Sequence, residues 1–218
     1  MTQILTQNQR ALLEAVGRDK EMAKRFYLTG DTPLAVFYLH HRYSEDLDFF
    51  SEQEVDSSAI AVFLETQRKP LGITDIDFQQ SFNRNLFFLR FGKETLKTEF
   101  TYFPFPRIER GETRYGIVLD SVFDIAVNKL FTIYQRTKAR DYIDLFMLCR
   151  DRGFAIRDLV AKAKQKFDWH VDPIQLGAQF LRAEEAVDYP RMSVDISPKE
   201  WQDFFVTEAK KLRGAILE

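Results

Sequence analysis

Hydrophobic periodicity changes once along this chain, near residue 119, and that change limits the folds open to it. Before it, apolar and polar residues alternate in several short runs. After it, apolar residues recur every three or four positions. A period of two sends alternate side chains to opposite faces of a strand, and a period of 3.6 gathers them on one side of a helix. The pattern predicts an α+β protein: a mixed-sheet lobe over residues 1–115 followed by a helical lobe over 116–218.

In the first lobe, residues 3–25 read as one helix with Ile4, Leu12, Leu13, Val16 and Met22 on a stripe. FYLTGD (26–31) reads as a short strand that turns at Gly30. Asp31-Thr32-Pro33 then opens an almost wholly apolar, hence buried, helix from Leu34 to about His40. DLDFF (46–50) reads as a strand with Asp46 and Asp48 on one face and Leu47 and Phe49 on the other. A helix over 57–67 follows, then strands over 73–80, 84–91 and 94–103, the last two joined at Gly92-Lys93. Residues 104–116, with two Pro and two Gly, read as a linker. Helices fit 120–136, 139–151, 155–167, 173–186 and 198–215. Ser197 and Glu200 form a capping box at the start of the last one.

Several classes of protein are excluded. With 218 residues, 45% hydrophobic and 29% charged, the chain is neither disordered nor a coiled coil. Its 21 Phe point to a bulky aromatic core. A net charge of −2 gives no global basic field for nucleic acid, so RNA contacts would need local patches such as 107–114 and 136–140. Cys149 is the one cysteine, so no internal disulfide forms, and it reads as a small buried side chain. One Cys and three His cannot build a Cys-rich zinc shell, and the adjacent His40 and His41 diverge on a helix end. No signal-peptide pattern is present and no apolar run approaches the ~18 residues of a membrane span, so a cytoplasmic location is expected.

The chemistry centres on Asp46 and Asp48. Two carboxylates at i and i+2 on a strand share a face, and like charges that close are unfavourable without a cation. One or two Mg²⁺ ions would relieve the repulsion and could hold a nucleotide's phosphates. Upstream, Leu28-Thr29-Gly30-Asp31-Thr32 forms a strand–turn–helix whose free N–H groups suit a phosphate; the same residues also make a plain turn capped by Asp31. Glu99 would complete a metal set if its strand lies beside 46–50, and otherwise pairs with Lys97 on a solvent face. Lys129 interrupts the apolar stripe of Val122, Ala126 and Ile133, so it needs a carboxylate or a phosphate unless it reaches the rim. On the next helix, Arg140 and Asp141 face Asp144 at i+4 and i+3.

These residues resemble a known family. FYLTGDTPLAVFYLHHRYSEDLDFF is similar to the first motif of the AbiEii/AbiGii toxin nucleotidyltransferases, and DIAVNKLFTIYQRTKARDYIDLFML resembles its later motifs. The resemblance implies a polymerase-β-like core that uses Mg²⁺ and an NTP, with RNA (tRNA in some members) or protein as acceptor. It also implies a toxin with a co-encoded antitoxin, some members acting in phage defence. By that likeness Asp46, Asp48, Lys129 and Asp144 are catalytic, Asp46 and Asp48 hold metal, and Gly30, Asp31, Thr32, Ser44 and Arg140 hold nucleotide; Glu99, from the strand pattern, is the candidate third metal carboxylate. Asp124 and Asp141 also match motif positions. The family usually has Gly or Ser where this chain has Asp31. A carboxylate there would repel a triphosphate unless it turns away or joins the metal. The alternative reading is therefore a catalytically weakened module that binds or regulates a partner.

Overall fold

A computed structural model describes residues 4–216, with side chains through residue 212. The chain divides into two units, Met1–Ser121 and Val122–Glu218.

The first unit is built on a seven-stranded mixed sheet. Helix α1 (Gln7–Arg18) starts at a capping box in which the Gln9 N–H donates to Thr6 Oγ1 (3.1 Å) and the Thr6 N–H donates to Gln9 Oε1 (2.9 Å). The single helix expected over 3–25 is instead two. Asp19 ends α1 and caps α2 (Lys20–Arg25), its carboxylate accepting from the N–H groups of Glu21 and Met22. An Asp side chain that bonds local backbone favours a cap over a helix interior, and here that preference splits the helix. Residue 3 of the expected helix lies outside the described residues.

The strands are β1 (Tyr27–Thr29), β2 (Leu47–Ser51), β3 (Asp75–Ser81), β4 (Arg84–Phe91), β5 (Glu94–Tyr102), β6 (Arg110–Arg114) and β7 (Ile117–Asp120), in the sheet order β3-β4-β5-β2-β1-β7-β6. β1 runs antiparallel to β2 and parallel to β7, and β2 runs parallel to β5. The β6–β7 hairpin occupies much of the stretch read as a linker. RGETR carries no apolar alternation because β6 is an edge strand, mostly exposed, so the usual signal for a strand is missing.

One sheet face carries the core. Phe49 stacks on Phe100 (4.9 Å between centroids), and Phe26 and Phe87 meet Phe100 edge-on. Leu12, Leu13 and Val16 of α1, with Ile60 and Leu64 of α4 (Ser57–Leu71), bury fully in the same cluster. Each such side chain contributes about 1.5–3 kcal/mol of transfer free energy. Alternation then sends Thr29, Asp48 and Glu99 to the opposite face. At the far edge two glycines permit direct backbone contact: a Cβ on Gly17 would sit 1.8 Å from the Tyr115 carbonyl oxygen, and one on Gly116 would sit 2.5 Å from that of Gly17.

Between β1 and β2, helix α3 (Asp31–Pro33) passes into a π-helical segment, Leu34–Leu39, that ends at His40 in the left-handed conformation (φ 54°). The expected fully buried helix is only partly so. Leu34 and Ala35 are buried, whereas Val36, Phe37 and Tyr38 pack half-exposed against the edge of the core.

The second unit is helical: α5 (Val122–Gln135), α6 (Ala139–Arg152), α7 (Ile156–Phe167), α8 (Pro173–Leu181) with a 3₁₀ turn at Arg182–Glu185, and α9 (Pro198–Ile216). α6 is its centre, buried at every position from Asp141 to Leu148. The Tyr142 ring lies 6.1 Å from Trp201 and 5.0 Å from Phe205, which fixes α9 against it. The Ser197 N–H donates to Glu200 Oε2 (3.2 Å), as the capping pattern predicts. No helix among the described residues is long and apolar enough to cross a membrane.

Candidate active site

β2 and β5 bring the carboxylates together. In their parallel register Asp48 stands opposite Glu99, and Thr29 of β1 flanks Asp48 on the other side. Leu47 and Phe49 are fully buried on the core face, so Asp46 and Asp48 share the other face. Two of the three acids have cations. Lys97 Nζ contacts Asp46 Oδ2 at 2.6 Å. Arg84 grips Glu99 with a two-pronged contact (Nε–Oε1 2.8 Å, Nη2–Oε2 2.5 Å), and the Thr101 hydroxyl donates to Glu99 Oε1. Lys97 thus serves Asp46, not Glu99 as the strand pattern allowed. The Asp48 carboxylate has no salt bridge or hydrogen bond among the described residues. Burial, then the neighbouring carboxylates of Glu99, Asp31 and Asp46, push its pKa up to about 7, and Lys97 offsets this only in part. Burial alone would raise Glu99 too, but the Arg84 and Thr101 hydrogen bonds outweigh it and leave that carboxyl below its usual range.

Gly30 makes the turn that faces Asp48. Its backbone (φ 78°, ψ −140°) is one that side-chain-bearing residues rarely adopt, and a Cβ there would lie 3.1 Å from Asp48 Oδ2. Gly30 is also the cap of α3, and Asp31 sits inside its first turn. The Asp31 side chain is held by Arg42 (Nη2–Oδ1 3.1 Å), whose own side chain is 2% exposed. Thr32 and Ser44, both buried, are hydrogen-bonded to each other (2.7 Å), and the Thr32 hydroxyl also donates to the Asp46 carbonyl. Gln9 Nε2 donates to the Ser44 carbonyl (2.9 Å), tying α1 to the same loop. Thr32 and Ser44 therefore fix the segment that presents Asp46.

The later motif residues are paired within the helical unit. Lys129, nearly buried on α5, meets Asp141 at 2.8 Å and Asp144 at 2.6 Å, both on α6. Its partners are carboxylates, one of the options its place on an apolar stripe required. Arg136 adds a second cation to Asp141 (Nη2–Oδ2 2.9 Å). Arg140 lies in the first turn of α6. Asp124 pairs with Lys166 of α7 at 2.7 Å, with both side chains fully buried. Lys166 escaped the sequence reading, and Arg42 entered it only within the HHRYSEDLDFF motif, with no role of its own. Arg42 lies in a loop without periodicity, and Lys166 sits beside Lys162 and Lys164 on a helix rich in lysine. The one available signal for Lys166 was its i+7 spacing from Leu159 on the buried stripe.

The mixed sheet followed in sequence by a helical unit is a fold shared with solved nucleotidyltransferases. A candidate nucleotidyltransferase from Helicobacter pylori aligns with a TM-score of 0.62 at 23% identity, covering 97% of this chain and 95% of its own. MenT4, the nucleotidyltransferase toxin Rv2826c from Mycobacterium tuberculosis H37Rv, aligns with a TM-score of 0.61 at 17% identity, covering 94% and 81%. At such identities the likeness is one of fold. More narrowly, the chain belongs to the AbiEii nucleotidyl transferase toxin family of type IV toxin–antitoxin systems, whose sequence profile matches residues 11–211. A relative from Aquifex aeolicus (strain VF5), uncharacterized protein aq_aa25, is 29% identical over 213 residues, spanning 95% of this chain and 97% of its own length.

Proposed function

We propose that the protein transfers a nucleotidyl group from an NTP to a hydroxyl on RNA, tRNA included, or on protein, and that a co-encoded antitoxin restrains it. The observation that carries this reading is Asp48. It is an acid crowded by three others, without a bonded cation among the described residues, against a turn where the smallest side chain would intrude. Such a place suits a divalent metal, which the oxygen-only donor set makes Mg²⁺ before a softer ion. Asp46 and Asp48 would hold it. Glu99, already gripped by Arg84, would act as the acid that orients the set. When bound, Mg²⁺ supplies charge neutralisation at the reacting phosphate and lowers the pKa of an attacking hydroxyl.

The chain's own residues do the rest. Gly30 leaves the backbone bare for a phosphate to approach the N–H groups of the following turn. Thr32 and Ser44 keep Asp46 in place. Arg42 neutralises Asp31, which removes much of the repulsion that a carboxylate at this position would offer a triphosphate. That pair favours the enzyme over a blocked, purely regulatory scaffold. Lys129 and Asp144 would contribute as a preassembled ion pair, with Asp141 holding the lysine.

Label transfer tests the proposal. The purified chain is incubated with Mg²⁺, total cellular RNA and each of four α-labelled NTPs, beside an Asp46→Asn/Asp48→Asn control. Label on RNA or protein that disappears in the control is expected. Label transferred equally by the control, or no transfer by a folded sample with any NTP, would overturn it.

A further inference from the structure

A second concave site lies at the other end of the two strands that carry the proposed active site. β1 and β2 pair antiparallel with Thr29 opposite Asp48 and Tyr27 opposite Phe50. The catalytic acids thus sit at one end of the pair, and Tyr27 and Ser51 mark the other, about 10 Å away at ~3.3 Å per residue. There a cavity of about 220 Å³ is lined by Lys24, Arg25, Tyr27, Ser51, Glu52 and Arg107 among others. Its charge is unbalanced, with three cations against Glu52. Lys24 and Arg25 are exposed, and neither makes a salt bridge among the described residues. Arg107 is pre-organised. Its guanidinium lies 4.4 Å above the Tyr27 ring centroid, and its Nε and backbone N–H both donate to Glu52 Oε1 at 3.1 Å. One face of the guanidinium is spent on Tyr27, yet the side chain remains 28% exposed.

We infer that this cavity binds a phosphate of a single-stranded polynucleotide, with the outer face of Arg107 stacking a base. Loose cations alone would attract an acidic peptide as well. A flat, fixed guanidinium beside two unpaired cations matches the paired demands of a nucleotide unit, a π-face and a phosphodiester. The assignment rests on the nucleotidyl-transfer reading and deepens it, because it makes the acceptor a nucleic acid whose strand extends from the carboxylates along β1 and β2.

The test is binding of a fluorescein-labelled 12-nucleotide mixed-sequence RNA to the full chain, without NTP, followed by anisotropy across a salt series. Each single-strand phosphate neutralised contributes about 0.7 to the slope of log K against log salt. The Lys24→Gln/Arg25→Gln protein should bind about tenfold more weakly, with the slope reduced by about 1.4. A Lys69→Gln/Lys93→Gln protein, which loses equal charge from exposed positions elsewhere, should bind like the parent. Glu52→Gln keeps an oxygen for Arg107 and removes the one acid, so it should tighten binding two- to threefold, a gain that misfolding could not produce. Unchanged affinity and slope in the Lys24/Arg25 double variant overturn the inference, and so does an equal loss in the Lys69/Lys93 protein. A thermal-shift titration with 5′-AMP separates the phosphate sources. An AMP response lost in the Lys24/Arg25 variant while RNA affinity is intact would assign the cavity to a small phosphomonoester and overturn the polynucleotide. Since no NTP is present, failure here leaves nucleotidyl transfer standing, and failure of label transfer leaves this result standing.

Discussion

In the helical unit each buried acid of the later motifs meets a base: Asp124 with Lys166, Asp144 with Lys129, and Asp141 with Lys129 and Arg136. On the β2–β5 face the count falls short. Asp46 has Lys97 and Glu99 has Arg84, while Asp48 faces its neighbours with no bonded cation among the described residues. A balanced set of buried charges holds helices in place, because removing either partner strands the other in a poor dielectric. A surplus of negative charge does the opposite. It costs stability in the empty protein, and it is kept where something positive is to be bound.

The largest effect should separate the two regions. Asp48→Asn should cut nucleotidyl transfer by on the order of a thousandfold, about 4 kcal/mol, while leaving the metal-free melting temperature equal or higher. A variant that melts earlier without metal would show that Asp48 is structural after all. Next comes Asp124→Asn, which leaves Lys166 buried against a neutral amide. Denaturant titration should show a loss of about 3–5 kcal/mol, and a joint Asp124→Leu/Lys166→Met change should recover most of it. If the single substitution costs under about 1 kcal/mol, the contrast between the regions fails.

Gly30→Ala should destabilise by about 1–3 kcal/mol, from the strained backbone and the contact with Asp48, and should weaken NTP binding in a Mg²⁺-dependent thermal shift. The smallest effect appears at high pH and touches both units alike. Burial pushes the phenols of Tyr38 and Tyr142 up to about 12, with Asp120 and Glu112 adding to the rise at Tyr38. A raised folded pKa means that the associated stability is complete below about 10 and is lost as pH climbs towards 12. Absorbance at 295 nm should show two tyrosines ionising late, together with unfolding. Phenylalanine at either position should remove one of the two.

Most of the architecture was legible because its signals are local. The helices of the second unit follow their apolar stripes and caps, and Asp46, Leu47, Asp48 and Phe49 alternate as a half-buried strand must. What stayed illegible depends on partners distant in sequence. That Asp48 stands opposite Glu99 follows from β2 pairing with β5, and no pattern within 94–102 encodes that neighbour. Arg42 looks like any loop arginine until Asp31 is placed beside it. β6 was hidden because an exposed edge strand of charged residues carries no hydrophobic period, and the split at Asp19 because a cap inside a continuous stripe interrupts the backbone without interrupting the stripe.

The bare contact between Gly17 and the turn at Tyr115-Gly116 has a consequence for biosynthesis. The first helix is made early, yet the surface it rests on is completed only about a hundred residues later, and no side chain can stand in for it. During translation α1 must wait through the emergence of the whole sheet, with Leu12, Leu13 and Val16 only partly covered. Ribosome-bound chains that end before β6 should be readily cleaved by protease near α1, and chains long enough to free the β6–β7 hairpin should resist it.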